Sequence, residues 1–189
     1  MDALQAYINK YIDCSDEEFN RIKLCFKEFT INKKEYLLSE GQICKHYYFT
    51  LNGLIRFYYI DDKANEVITQ FAIENWWFTN YESLNYAKPS RLYIQSIEPT
   101  TVLMISKVNF DKLLVEFPKL ERLFRIITEN MLIATQKKYE YYLKMDSRDK
   151  YEQILKHIPQ LIQRVPQYMI ASYLEISPEY LSQIRKDMY

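Results

Sequence analysis

Residues 167–186 read QYMIASYLEISPEYLSQIRK, and this stretch carries the strongest structural signal in the 189-residue chain. Its spacing predicts two short helices joined by a tight turn, a helix-turn-helix, in which the small Ala171 allows close approach. Ser177 is predicted to cap the second helix and Pro178 to take its first position. Glu175 stands where such turns usually carry glycine, and a left-handed conformation there costs a non-glycine residue about 1 kcal/mol. The apolar positions predicted to hold the helices together are Ile170, Leu174, Ile176, Leu181 and Ile184.

A long helix is predicted upstream of this motif, from Pro118 to about Met145. A helix of that length extends about 42 Å, more than a small β domain covers, so part of its apolar stripe is predicted to meet a second copy of the chain. The sequence therefore predicts a homodimer. Asp146 and Ser147 interrupt the pattern, and Ser147 is predicted to cap the first helix of a C-terminal domain. The stripe consists of Leu120, Phe124, Ile127, Met131, Ala134, Lys138, Tyr141 and Met145.

The part of the chain before the long helix has the period of β-strands between residues 29 and 107. Short β-branched and aromatic runs separated by turn signals predict an antiparallel sandwich or barrel. Asn52-Gly53 predicts a two-residue hairpin turn, and residues 61–65 predict another turn. Ahead of the strands, Ser15-Asp16-Glu17-Glu18 is a capping box that predicts an amphipathic helix reaching Glu28.

The composition excludes several classes of protein. Lys and Arg number 25 against 25 Asp and Glu, and 48% of the residues are apolar, which is typical of a globular chain. The sequence has neither a signal peptide pattern nor a long apolar span, which indicates a cytoplasmic protein that is not in a membrane. The three widely spaced cysteines, Cys14, Cys25 and Cys44, are predicted to be free thiols. With two histidines, two glycines and no Gly-x-Ser-x-Gly motif, we expect neither an enzyme nor a metal or other cofactor.

The order of these parts resembles the Crp–Fnr family of bacterial transcription regulators over nearly the whole chain. The resemblance rests on Leu38-Ser39-Glu40-Gly41 and Phe49-Thr50-Leu51-Asn52-Gly53, then on the entry into the long helix and the terminal helix-turn-helix. The segment from Val165 to Glu179 is similar to a branch of the family common in Bacteroidetes. The resemblance implies an α+β fold: a cyclic-nucleotide-binding-like β jelly roll over residues 1–117, a dimerisation helix over 118–145 and a helix-turn-helix domain over 146–189.

The effector pocket that the resemblance implies departs from that of cyclic-AMP receptors. The positions of the family's glycine, glutamate, arginine and Ser/Thr fall on Thr79, Asn80, Ser90 and Arg91 here. Loss of the glutamate removes the acceptor for the ribose hydroxyl, and moving the arginine by one residue along a strand turns it to the opposite face. We therefore expect a degenerate pocket that does not bind cyclic AMP. Thr135 and Gln136 match the region of the long helix that contacts the base, so a different small-molecule effector remains open.

Helical phase predicts how the second helix of the motif would meet DNA. Pro178, Glu179, Ser182 and Gln183 face outward if Leu181 and Ile184 face inward. Glu179 could then accept from cytosine and Gln183 could pair with adenine in the major groove. The candidates for phosphate contacts are Tyr168, Ser172, Ser177, Arg185 and Lys186. Residues 161–165, where relatives carry a β-hairpin wing, are too few for much of one.

The function implied is a DNA-binding transcription regulator that binds a partly palindromic operator as a homodimer, with RNA polymerase as a further partner. An alternative is a small-molecule sensor module whose helix-turn-helix no longer binds DNA, since Glu175 occupies the turn and the C-terminal domain is nearly neutral. A jelly-roll enzyme of the cupin type would need clustered metal-binding histidines, and His46 and His157 are isolated in the sequence.

Overall fold

The computed structural model describes residues 1–188 of the chain. Its strands are β1 (Lys27–Ile31), β2 (Tyr36–Leu38), β3 (His46–Asn52), β4 (Ile55–Ile60), β5 (Glu66–Ala72), β6 (Trp77–Phe78), β7 (Tyr93–Ser96) and β8 (Thr100–Ser106). Its helices are α1 (Asp2–Asn9), α2 (Asp16–Ile22), α3 (Tyr81–Tyr86), α4 (Lys107–Glu116), α5 (Lys119–Lys144), α6 (Ser147–His157), α7 (Pro159–Arg164), α8 (Gln167–Leu174) and α9 (Pro178–Met188). Among these helices, none is long and apolar enough to span a membrane.

The strands form two sheets, with orders β1-β8-β3-β6 and β2-β7-β4-β5. The pairing of β8 with both β1 and β3 is antiparallel, and so is the pairing of β7 with β2 and β4. Side chains from both sheets fill one apolar core, as alternation in half-buried strands requires. Of the predicted antiparallel sandwich or barrel, the sandwich is therefore the form that the structure has. Its buried members include Ile31, Leu38, Tyr48, Ile55, Phe57, Phe78, Ile94 and Val102.

The predicted hairpin at Asn52-Gly53 is wrong. β3 and β4 lie in different sheets, so this turn carries the chain from one sheet to the other. Gly53 has φ +105°, and a Cβ at this position would lie 2.7 Å from the Cα of Thr100. Glycine is required here both by the backbone conformation and by the close approach of β8. A local turn signal shows where the chain reverses but not which strands then pair.

The N-terminal capping box is confirmed, although its helix is shorter than predicted. The Ser15 hydroxyl accepts from the Glu18 amide, and the Glu18 carboxylate accepts from the Ser15 amide at 2.9 Å. The α-helix ends at Ile22, a single 3-10 turn follows, and β1 begins at Lys27. The expected extension to Glu28 is therefore wrong, because Glu28 pairs with Leu103 in the sheet.

Two compact units divide the chain within α5. One unit comprises Met1–Tyr59 and Gln70–Glu129, and the other comprises Ile60–Thr69 and the chain from Asn130 onward. In the first unit, the ring centroid of Phe124 on α5 lies 4.5 Å from the ring centroid of Phe110 and 4.8 Å from that of Trp77. The first turns of the predicted dimer stripe are thus covered by the jelly roll of the same chain.

The second unit contains α6 to α9 around a small apolar core. α6 begins at Ser147, and its cap is Asp146, whose carboxylate accepts from the Asp149 amide at 2.9 Å. The assignment of the cap to Ser147 was one residue late. Where relatives were expected to carry a wing, Pro159–Arg164 forms helix α7. The buried core residues are Tyr151, Ile154, Leu161, Val165, Met169, Ile170, Ala171, Leu174, Leu181 and Ile184.

Candidate nucleic-acid interface

The turn between α8 and α9 has the hydrogen bonds of a Schellman motif. The Ile176 amide donates to the Ala171 carbonyl at 3.0 Å, and the Glu175 amide donates to the Ser172 carbonyl at 3.1 Å. Glu175 has φ 58° and ψ 40°, the left-handed conformation considered from the sequence. Glycine usually occupies this position because its backbone adopts positive φ without strain, so Glu175 makes the turn at a cost.

The start of α9 is specified locally, as predicted. The Ser177 hydroxyl accepts from the Tyr180 amide at 3.1 Å, and Pro178 is the first residue of the helix. Leu181 and Ile184 are buried, which fixes the rotation of α9 about its axis. The exposed residues at and after its start are Ser177, Pro178, Glu179, Tyr180, Ser182, Gln183, Lys186 and Asp187. α9 therefore presents its N-terminal polar face outward.

Two of the predicted contact residues are held by neighbouring side chains. The Gln183 amide donates to the Asp187 carboxylate at 2.7 Å, an i,i+4 pair on the surface of α9. The Arg185 guanidinium donates to the Gln167 side-chain carbonyl at 3.3 Å, which links α9 to the start of α8. A surface pair of this kind is weak, so Gln183 can exchange Asp187 for a better partner at little cost.

Two tyrosines on this face are exposed. Tyr168 near the start of α8 is 53% exposed, and Tyr180 in the first turn of α9 is 52% exposed. Tyr168 was predicted as a phosphate contact, whereas Tyr180 was not predicted from the sequence. In the sequence, Tyr180 resembles a core residue, because its side chain is an aromatic ring and the next residue is the buried Leu181. Only the packing shows that it points outward.

The Ser172 side chain is not part of this exposed face, because it forms hydrogen bonds with the β4–β5 hairpin. Its hydroxyl donates to the Glu66 carbonyl at 2.8 Å and accepts from the Ile68 amide at 3.0 Å. The hairpin itself closes at the predicted turn, where the Asp61 amide donates to the Asn65 carbonyl at 3.0 Å. The predicted phosphate contact of Ser172 stays a prediction, and it requires that these two hydrogen bonds open.

Behind the turn, Glu175 influences two side chains on α5. Burial lowers the pKa of Lys138, and the Glu175 carboxylate partly opposes this shift. Burial raises the pKa of Tyr142, and the nearby Glu175 carboxylate raises it further. Burial thus favours the neutral form of both side chains, and the Glu175 carboxylate favours the ammonium form of Lys138.

Replacing Glu175 tests the strain in this turn. We expect the Glu175→Gly variant to be more stable than Glu175→Gln by about 1 kcal/mol in free energy of unfolding, because both lose the charge and only glycine relieves the positive φ. Urea unfolding followed by circular dichroism measures the difference. Equal stability of the two variants would contradict a strained turn.

The predicted effector residues Thr79, Asn80 and Ser90 come together in the first unit. The Asn80 amide donates to the Ser90 hydroxyl at 2.8 Å, and its side-chain oxygen caps α3 by accepting from the Ser83 amide. The Thr79 hydroxyl donates to the His46 carbonyl at 2.8 Å. All three side chains are buried, so their polar atoms are used within the protein.

Arg91, by contrast, is exposed and borders a cavity of about 400 Å³. This cavity also includes Ser90, Glu40, Glu82 and Lys88, so it carries as many carboxylates as cations. The two carboxylates of the lining offset the charge of its two cations, which disfavours a phosphate group. In residues 1–188, no group of three His, Cys, Asp or Glu side chains is placed to hold a metal ion.

Thr135 and Gln136 belong to the second unit, on the exposed surface of α5. The Thr135 hydroxyl donates to the Met131 carbonyl one turn earlier, at 2.9 Å. Their predicted role as the floor of the effector pocket stays a prediction.

Comparison with known proteins supports the fold. The model of the cyclic nucleotide-binding domain matches residues 28–117. The chain is similar to a mutant of CooA from Carboxydothermus hydrogenoformans, with a TM-score of 0.69, 19% identity, and coverage of 94% of this chain and 85% of that chain. It is also similar to FixK2 from Bradyrhizobium japonicum, with a TM-score of 0.68, 17% identity, and coverage of 86% and 84%.

A third similar structure is CLP from Xanthomonas campestris, described as a c-di-GMP responsive global regulator. Its TM-score is 0.68, its identity is 14%, and the match covers 92% of this chain and 91% of that chain. No curated protein matches the chain. These likenesses confirm the expected jelly roll of the cyclic-nucleotide-binding type.

Proposed function

We propose that the protein is a cytoplasmic transcription regulator of the Crp–Fnr type that binds a partly palindromic DNA operator as a homodimer. The observation that carries this proposal is the placement of α9. Its buried residues Leu181 and Ile184 fix its rotation, and its N-terminal turn presents polar side chains outward. A helix held in this way on a preceding helix is the arrangement that enters the major groove in helix-turn-helix proteins.

The exposed side chains of α9 suit the reading of base edges. Glu179 can accept a hydrogen bond from cytosine N4, and Gln183 can form a bidentate pair with adenine. Ser182 lies between them on the same exposed face. Tyr180 adds a phenol at the start of the helix, where a hydroxyl can reach a phosphate or a base.

Phosphate contacts would come from the side chains that border this face. Tyr168 and Ser177 offer hydroxyl groups, whereas Arg185 and Lys186 offer cations. With two cations in each protomer, a dimer would neutralise about four phosphates. This number is small, so we expect modest affinity that depends on base contacts as well as on charge.

The exposed surface of α5 supports dimerisation, although not through the stripe expected from the sequence. Lys138 of that stripe lies against the Tyr173 ring of its own chain, with its Nζ 4.1 Å from the ring centroid. Leu132, Tyr139 and Leu143 are exposed instead. Together with Gln136 they recur at spacings of four, three and four, the seam of a coiled coil, so we propose a second copy of α5 as the occupant of this face.

The effector proposed for the jelly roll is not cyclic AMP. The side chains of Thr79, Asn80 and Ser90 are used in internal hydrogen bonds, and Arg91 lines a cavity whose two carboxylates offset its two cations. A different small molecule remains the candidate for this domain. RNA polymerase is the further protein partner that a regulator of this type would contact.

Salt dependence tests DNA binding by this surface. For about four phosphate contacts, affinity for a mixed-sequence duplex is expected to fall about a hundredfold between about 50 and 200 mM salt. The Arg185→Gln/Lys186→Gln variant should lose most of that dependence. Fluorescence anisotropy with a labelled duplex measures both effects, and Lys144→Gln, on the exposed surface of α5, is the matched control.

Absence of duplex binding at the lower salt concentration, with the fold intact, would favour the alternative function. The chain would then be a small-molecule sensor whose α8–α9 pair does not bind DNA. The hydrogen bonds of Ser172 to the β4–β5 hairpin support this alternative, because they engage a side chain that was predicted to contact phosphate.

A further inference from the structure

A cavity of about 330 Å³ lies between α5, α6 and α8, entirely within the second compact unit. It is separate from the jelly-roll residues considered above and from the exposed face of α9. Its volume is at the lower end of the range of about 300–1,000 Å³ that small-molecule sites occupy. The cavity is therefore large enough for a compact ligand with one or two rings.

Two lysine ammonium groups are held over aromatic rings in this cavity. The Lys138 Nζ lies 4.1 Å from the centroid of the Tyr173 ring and donates to the Thr69 carbonyl at 3.0 Å. The Lys150 Nζ lies 4.1 Å from the centroid of the Tyr142 ring. Each ammonium group has three donors, and a ring face satisfies none of them fully. Both lysines can therefore donate to an anion.

The walls between these cations are apolar. Ile154 of α6 and Leu174 of α8 line the cavity and are otherwise buried. The buried Tyr142 hydroxyl lies near the Glu175 carboxylate, which raises its pKa. Apolar walls of this kind suit the hydrocarbon ring of a ligand.

The charge of the side chains that line the cavity indicates which kind of ligand it would bind. The lining includes Lys137, Lys138 and Lys150 but no carboxylate, and Glu175 is the acidic group that acts on Lys138. The lining of the cavity thus combines net positive charge with apolar walls. A neutral apolar molecule would leave the ammonium groups desolvated, whereas a phosphate without a ring would leave the walls unfilled.

We propose that this cavity binds a small aromatic anion of the aryl carboxylate class. The carboxylate would accept from the Lys150 ammonium, while the ring would pack against Ile154 and Leu174. Such a ligand would connect α5 to α8 directly before the strained turn at Glu175. Binding itself does not depend on the DNA-binding function proposed above, and it is measured without DNA.

The test is isothermal titration of the full-length protein with 2-naphthoate and, as a neutral comparison, 2-naphthalenemethanol. We expect the wild type to bind naphthoate at least about tenfold more tightly than the alcohol, the effect of a charge-assisted contact. Lys150→Met, which keeps the length of the side chain, should weaken naphthoate binding about tenfold or more.

The matched control is Lys144→Met, an exposed lysine of α5 that does not line the cavity. This variant should bind naphthoate within twofold of the wild type. Circular dichroism of each variant establishes that the fold is intact. The proposal is overturned if the wild type does not bind naphthoate, if the acid and the alcohol bind equally, or if Lys150→Met leaves the affinity unchanged.

Discussion

Replacing Leu132 and Leu143 with glutamate is expected to convert the protein from a dimer into a monomer. These side chains are 57% and 69% exposed on α5, one on each side of Tyr139 in the proposed seam. Each leucine buried in an interface contributes about 1.5–3 kcal/mol, so a symmetric dimer that loses four of them is weakened by about 6 kcal/mol or more. The introduced carboxylates would also repel one another across the two-fold axis. Analytical ultracentrifugation over a range of concentrations measures the change.

The matched control is the Leu24→Glu/Val115→Glu variant. Leu24 and Val115 are 80% and 82% exposed, and both lie outside α5. The same chemical change at these positions should leave the dimer intact, because no interface is proposed there. A wild-type protein that sediments as a monomer, or equal weakening by the two double variants, would contradict dimerisation through the α5 seam.

Gln183→Ala is expected to weaken operator binding by about 30-fold or more and to relax the preference at one base pair in each half-site. A bidentate pair with adenine contributes about 1–3 kcal/mol, and a symmetric operator contains two such pairs. The hydrogen bond that Gln183 makes with Asp187 in the free protein offsets only a small part of this loss. Fluorescence anisotropy with operators changed at single base pairs measures both affinity and preference.

Gln160→Ala, an exposed glutamine on α7, is the control and should bind all operator variants as the wild type does. Relaxation at one position distinguishes base recognition from a general effect on the fold. If Gln183→Ala weakened binding equally to every operator variant, Gln183 would have a structural or phosphate-contacting role instead.

The features that the sequence predicted well depend on local chemistry. The caps of α2 and α9 each involve residues no more than three apart, so Ser15 and Ser177 could be assigned from the pattern alone. The strands were recognisable because β-branched and aromatic residues alternate along them. The shift of the α6 cap from Ser147 to Asp146 shows the usual limit, since both residues are good caps.

Long-range contacts were beyond prediction. Ser172 bonds to Glu66, 106 positions earlier, and no local pattern indicates such a partner. Gly53 was expected in a hairpin because a turn signal does not say which sheet each flanking strand joins. Similarly, the periodicity of α5 shows which residues share a face, but not that Lys138 faces Tyr173 of its own chain while Leu132 is left exposed.

The most direct test of the proposed function is selection of DNA duplexes from a random library by the purified wild-type protein. A dimer with one α9 in each of two successive major grooves should enrich two inverted half-sites whose centres are about one helical turn, 10–10.5 base pairs, apart. Enrichment of a single half-site without symmetry, or of no sequence at low salt, would contradict it.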